Sequence, residues 1–144
     1  MSRDIKRTVS HYRKKFNTND PFVIADQLGI LYQIGALKYE GCYMFLKNHR
    51  YIFLNEDLPP HEQKLVMAHE LGHAILHRKE NCYFIRNKTL LLNSKNEIEA
   101  NKFAIELLLP DEILNEYIES GYTIEQVARI TGYYQKLIEL RLKA

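Results

Sequence analysis

The stretch MAHELGHAILH, residues 67–77, holds three of the chain's six histidines and constrains the fold more than any other segment. His69 and His73 are four residues apart. On an α-helix that spacing leaves them about 40° apart around the axis and about 6 Å along it. Two imidazoles can then point at one ion. Glu70 is turned about 100° from His69 and reaches a water on such an ion without binding the metal itself. Gly72 costs a helix roughly 1 kcal/mol relative to alanine, and in return lets another element approach closely. With six histidines in 144 residues, the pattern H-E-x-x-H is expected by chance only ~0.02 times. A metal site is therefore preferred to two solvated histidines on a helix face.

His77 does not extend the ligand set. Eight residues beyond His69 it has drifted about 80° around the axis, and three ligands on one helix converge poorly on a tetrahedral ion. The longer H-E-x-x-H-x-x-G-x-x-H pattern is also absent, because Leu76 and Lys79 stand at its last two positions. A supporting role or a place at the helix end, where the dipole favours a histidine, is expected instead.

A third ligand is sought in SKNEIEANKFAIELLLP, residues 94–110, which reads as a second long helix stopped by Pro110. Glu97 has Asn101 one turn later, and Glu99 is its main rival. The two glutamates are about 200° apart around a helix, so only one faces an ion held by the histidines. Removing Glu97 is expected to weaken metal binding, and removing Glu99 is not. Ser94 and Glu97 also fit the S-x-x-E capping box, a competing use for that carboxylate. Two histidines and a glutamate leave the fourth zinc position open to water, as catalysis requires. Asn101 is then placed to hydrogen-bond a ligating histidine.

These pieces together resemble the ImmA/IrrE family of zinc metallopeptidases. HELGHAILH at 69–77 and EIEANKFAIELLLP at 97–110 carry the resemblance, and YIFLNEDLPP upstream is also similar. The resemblance implies Zn²⁺ held by His69, His73 and Glu97, with Glu70 as the general base and Asn101 in support. It also implies a protein substrate. Family members of this size are typically encoded by mobile elements, phages and their hosts. Some relieve repression by cleaving a helix-turn-helix repressor encoded nearby.

The rest of the chain predicts an α+β fold. A helix covers about 3–16, with Ile5, Val9, Tyr12 and Phe16 as its apolar stripe and Arg3, Lys6, Arg7, Arg13, Lys14 and Lys15 as a solvated face. Asp20-Pro21 starts a short helix that ends at Gly29. ILYQIGAL, GCYMFLK and RYIFLN read as three short strands of a small antiparallel sheet, the last two a hairpin turning at Asn48-His49. The histidine helix follows at about 60–78, then the glutamate helix. Residues 111–143 are helical with breaks at Gly121 and Gly132. Strands that do not alternate with helices indicate α+β rather than α/β. A length of 144 residues suits a single domain, with a catalytic core of about 1–110 and a C-terminal helical extension at 111–144.

The net charge of +2 is too small to argue for nucleic-acid binding on its own. No run approaches the ~18 apolar residues of a membrane span, and the N-terminus lacks the apolar core of a secretory signal. Cys42 and Cys82 form no C-x-x-C pair and read as reduced thiols of a cytoplasmic protein. Two other readings stay open. TIEQVARITGYYQKLIELRLK, 123–143, has the outline of a helix-turn-helix, which would make the chain a DNA-binding regulator. Alternatively, zinc serves as a staple in a protein-interaction module. Glu70 argues against the staple, since a closed structural site has no use for a carboxylate beside an open position.

Overall fold

The computed structural model describes residues 4–80, the backbone of 82–84, and residues 94–143. Helix α1 (Ile5–Phe16) is capped by the Asp4 carboxylate, which accepts from the Arg7 N–H, and it buries Ile5 and Val9. Helix α2 (Pro21–Gln27) is capped in the same way by Asp20, with proline at its first position. The start of α2 lies where Asp20-Pro21 puts it, whereas α1 begins two residues later than the expected 3.

Among the described residues, four strands form a mixed sheet of order β1-β3-β2-β4: β1 (Leu31–Gly35), β2 (Gly41–Leu46), β3 (His49–Asn55) and, later in the chain, β4 (Cys82–Phe84). The α+β class stands, but the sheet is not purely antiparallel, because β3 pairs antiparallel with β2 and parallel with β1. Residues 36–40 carry the chain past one strand's width. The hairpin then folds β3 back into the gap, running in the same direction as β1. The hairpin turns at Lys47-Asn48, one residue earlier than expected. Both residues have positive φ (50° and 65°), as a two-residue turn matched to the strand twist requires.

Tyr43, Ile52 and Leu54 point from the sheet into the core and are fully buried. They meet α3 (Pro60–Leu76), in which every residue from Leu65 to Ala74 is buried. A helix with no solvated face over ten residues lies between two layers. The sheet covers one side of α3, and α4 (Lys95–Leu108) covers the other with Ala100, Phe103, Ala104 and Leu107. At Gly72 the two helices touch backbone to backbone. A Cβ there would lie 3.2 Å from Ala100 Cα and 3.1 Å from Phe103 Cβ.

The chain closes with α5 (Asp111–Glu119), α6 (Ile124–Thr131) and α7 (Gln135–Leu142). Thr123 and Gln126 form a reciprocal capping box on α6, and Gly132 ends it at φ 78°. Helix α7 packs on α4 and α6 and buries Leu137 and Ile138. Arg141 of α7 is also buried, donating to the Leu109 carbonyl at 2.8 Å and pairing with Glu106 and Asp111. Among the described residues, no helix is long and apolar enough to cross a membrane.

Candidate metal centre and catalytic site

His69, Glu70 and His73 project from the buried middle of α3, each fully inaccessible to solvent. Their ligand atoms lie within 4.8 Å of one another. Helix α4 brings Glu97 to them. Its Oε2 is 2.9 Å from His73 Nε2 and 3.4 Å from His69 Nε2. The competing use as a capping box takes only the backbone of Glu97, whose N–H donates to Ser94 Oγ. The carboxylate itself is turned to the histidines.

Asn101, one turn along α4, places Oδ1 2.7 Å from His69 Nδ1. An amide oxygen only accepts, so His69 Nδ1 carries the proton and Nε2 presents its lone pair toward Glu97. His77 and Glu99 form a separate contact behind the site. His77 is the first residue past α3, with φ −131°. Leaving the helical register swings its ring back, so that Nδ1 lies 3.0 Å from His73 Nδ1. Its Nε2 lies 2.8 Å from Glu99 Oε1. The sequence puts Glu97 and Glu99 on different faces of α4, and the structure does so too.

The electrostatics favour a cation. Burial alone would raise the Glu97 carboxyl, but the His69 and His73 rings beside it pull it down to about 2. Burial holds His73 below the usual histidine range, with Glu97 opposing and His69 reinforcing the effect. An ionised carboxylate beside neutral imidazole is the protonation state that binds a metal. Glu70 is pushed well above the carboxylate range, first by burial and then by the charge of Glu97. Both of its oxygens are buried without a hydrogen-bond partner among the described residues. Such a carboxylate is costly unless a cation or a proton donor sits beside it. Two imidazole nitrogens and a carboxylate oxygen are the donors a catalytic zinc takes, so the residues fit the ion the motif implies.

Gly41, at the start of β2, was not singled out from the sequence. A Cβ there would meet Val66 Cγ1 at 2.7 Å and Glu70 Oε2 at 3.4 Å. Only a glycine lets the strand lie this close to the carboxylate, and nothing local in the sequence marks that long-range contact. Cys42 beside it is buried. Desolvation, then the nearby Glu70 charge, push its thiol up to about 11, as befits an unreactive thiol. The Cys82 side chain lies outside the described residues. For the helix-turn-helix outline, Arg141, a basic residue of the second helix, is buried in ion pairs rather than offered to a groove.

Comparison with known proteins agrees with this geometry. Residues 25–143 match the family model of the IrrE N-terminal-like domain, a peptidase family. A phage relative, uncharacterized immunity region protein 2 of Bacillus phage phi105, is 37% identical over 139 residues, spanning 95% of this chain and 88% of its own. The metallopeptidase ImmA of Bacillus subtilis (strain 168) is 37% identical over 137 residues, spanning 88% of this chain and 77% of its own. With HELGH on α3, its glutamate partner on α4 and these matches over nearly the whole length, the chain belongs to the ImmA/IrrE family of metallopeptidases.

Proposed function

We propose that this chain is a zinc-dependent endopeptidase acting in the cytoplasm on one specific protein, a helix-turn-helix repressor whose cleavage relieves repression of a mobile element. The observation that carries the chemistry is the convergence of His69 Nε2, His73 Nε2 and Glu97 Oε2 beside the buried Glu70 carboxylate. His69, His73 and Glu97 hold the ion. When bound, zinc supplies the Lewis acidity that activates water near neutral pH and polarises the scissile carbonyl. Glu70 takes the proton of the attacking water on its carboxylate and hands it to the leaving amine. Its raised proton affinity in the buried site suits both halves of that transfer. Asn101 holds the His69 ring from behind.

The repressor as substrate is supported by the immunity-region name of the phage relative and by what the family resemblance implies. The C-terminal helices 111–144 are read as an extension packed on the core, supported by α7 lying on α4. Glu70→Gln tests the reading. It keeps the shape and the metal and removes the base, so zinc stoichiometry stays near one while cleavage of the repressor encoded beside the gene falls by ~10²–10⁴. Cleavage is read by mass spectrometry of the products. If Glu70→Gln relieves repression in cells as well as the parent does, proteolysis is not the activity.

A further inference from the structure

We infer that Glu99 and His77 are positioning residues for metal binding, acting on His73 through a chain of two imidazoles. The inference rests on the metallopeptidase reading above. The contacts are Glu99 Oε1 to His77 Nε2 at 2.8 Å and His77 Nδ1 to His73 Nδ1 at 3.0 Å. All three side chains are buried, His73 completely.

The direction of the chain follows from what each atom can do. A carboxylate only accepts, so the proton between Glu99 and His77 belongs to His77 Nε2. A neutral imidazole has one donor and one acceptor, so His77 Nδ1 accepts. In that arrangement the remaining proton between the two rings sits on His73 Nδ1. That leaves His73 Nε2, the nitrogen 2.9 Å from Glu97 Oε2, with its lone pair toward the site. Histidine ligands usually have their second nitrogen held by a carboxylate, a carbonyl or water. Here the carboxylate acts one residue removed. Glu99 is rotated about 200° from Glu97 on α4, and His77, swung back past the end of α3, bridges the interval.

Without metal, two carboxylates compete for the His73 proton. Glu97 draws it to Nε2, and the Glu99–His77 pair draws it to Nδ1. The ion must displace a proton from Nε2 only in the first tautomer. By favouring the second, Glu99 and His77 prepare the ligand. The sequence alone expects no effect of Glu99 on the metal, and the hydrogen-bond chain revises that.

Glu99→Gln is the informative variant, because an amide of the same shape can donate as well as accept. The chain can then reverse, with the amide N–H donating to His77 Nε2 and the His73 proton moving to Nε2. Two measurements at pH 8 test the inference. Long-range ¹H–¹⁵N spectra of the zinc-free protein should show a larger share of His73 protonated at Nδ1 in the parent than in Glu99→Gln. Zinc titration against a chelator should show about a 10-fold loss of affinity in Glu99→Gln and in His77→Ala. The double variant should lose no more than either single one, since both cut the same chain. An unchanged His73 tautomer and affinity in Glu99→Gln, or additive losses, would overturn the chain while leaving the metal site in place. A parent protein that takes up no zinc removes the metal reading, and this inference with it.

Discussion

Gly72→Ala sets two effects of known sign against each other. Alanine in place of glycine inside a helix stabilises it by about 1 kcal/mol. At this position, however, the new methyl would sit 3.1 Å from Phe103 Cβ and 3.2 Å from both Ala100 Cα and Ala100 O. Comfortable contacts of this kind begin at about 3.5 Å. Two of the three neighbours are backbone atoms of α4 and cannot turn aside, so the helices must part by a few tenths of an ångström. Overpacking of this kind costs ~1–3 kcal/mol. With the midpoint near 2 against a gain near 1, we expect a net loss of about 1 kcal/mol. For a chain of this length that lowers the melting temperature by about 3 °C. The same displacement moves Glu97 and Asn101, which share α4 with Ala100 and Phe103, so zinc affinity should fall with stability. Thermal unfolding in chelator and zinc titration of the same preparation read both effects. A variant that melts a few degrees higher than the parent and binds zinc as tightly would refute the close contact of α3 and α4 as the reason for glycine.

Asn101→Leu should lower zinc affinity by about 10–100-fold, because His69 Nδ1 loses its acceptor at 2.7 Å; chelator competition reads this, and an unchanged affinity would remove Asn101 from the site. For the metal-free protein, Glu70 has a proton affinity raised in the folded state above its ordinary 4.5. Its stabilising contribution is therefore complete below pH 4.5 and is lost as pH rises toward the folded-state value. The stability of Glu70→Gln relative to the parent should accordingly improve from pH 4 to pH 7 in urea unfolding with chelator, and a pH-independent difference would contradict the burial of the charge. Glu97 works in the opposite sense, stabilising above 4.5 and losing that contribution as pH falls toward about 2. Arg141→Ala leaves Glu106 buried with, among the described residues, Lys102 at 3.7 Å as its cation, and should cost about 3 kcal/mol in urea unfolding; a loss under ~1 kcal/mol would mean the pair is solvated.

Periodicity and spacing by themselves determined the helices, because their signals are local. The Asp20 cap, Pro21 and the Thr123–Gln126 box each act within one turn, and each marks its boundary without help from the fold. The shared face of His69 and His73 was legible for the same reason, since residues four apart on any helix share a face. Glu97 was legible only as one of two choices, because which face of α4 turns inward is set by packing against α3. What the sequence could not determine was long-range. The parallel pairing of β1 with β3 depends on which edge the hairpin adds to, and strand patterns carry no such address. The fit of Gly41 against Glu70 joins residues 29 positions apart in the chain. His77 looked too far around the helix to be a ligand, and a supporting place was expected for it instead. Its contacts with His73 and Glu99 come from leaving the helix, and at this end the tertiary structure decided where the helix stops.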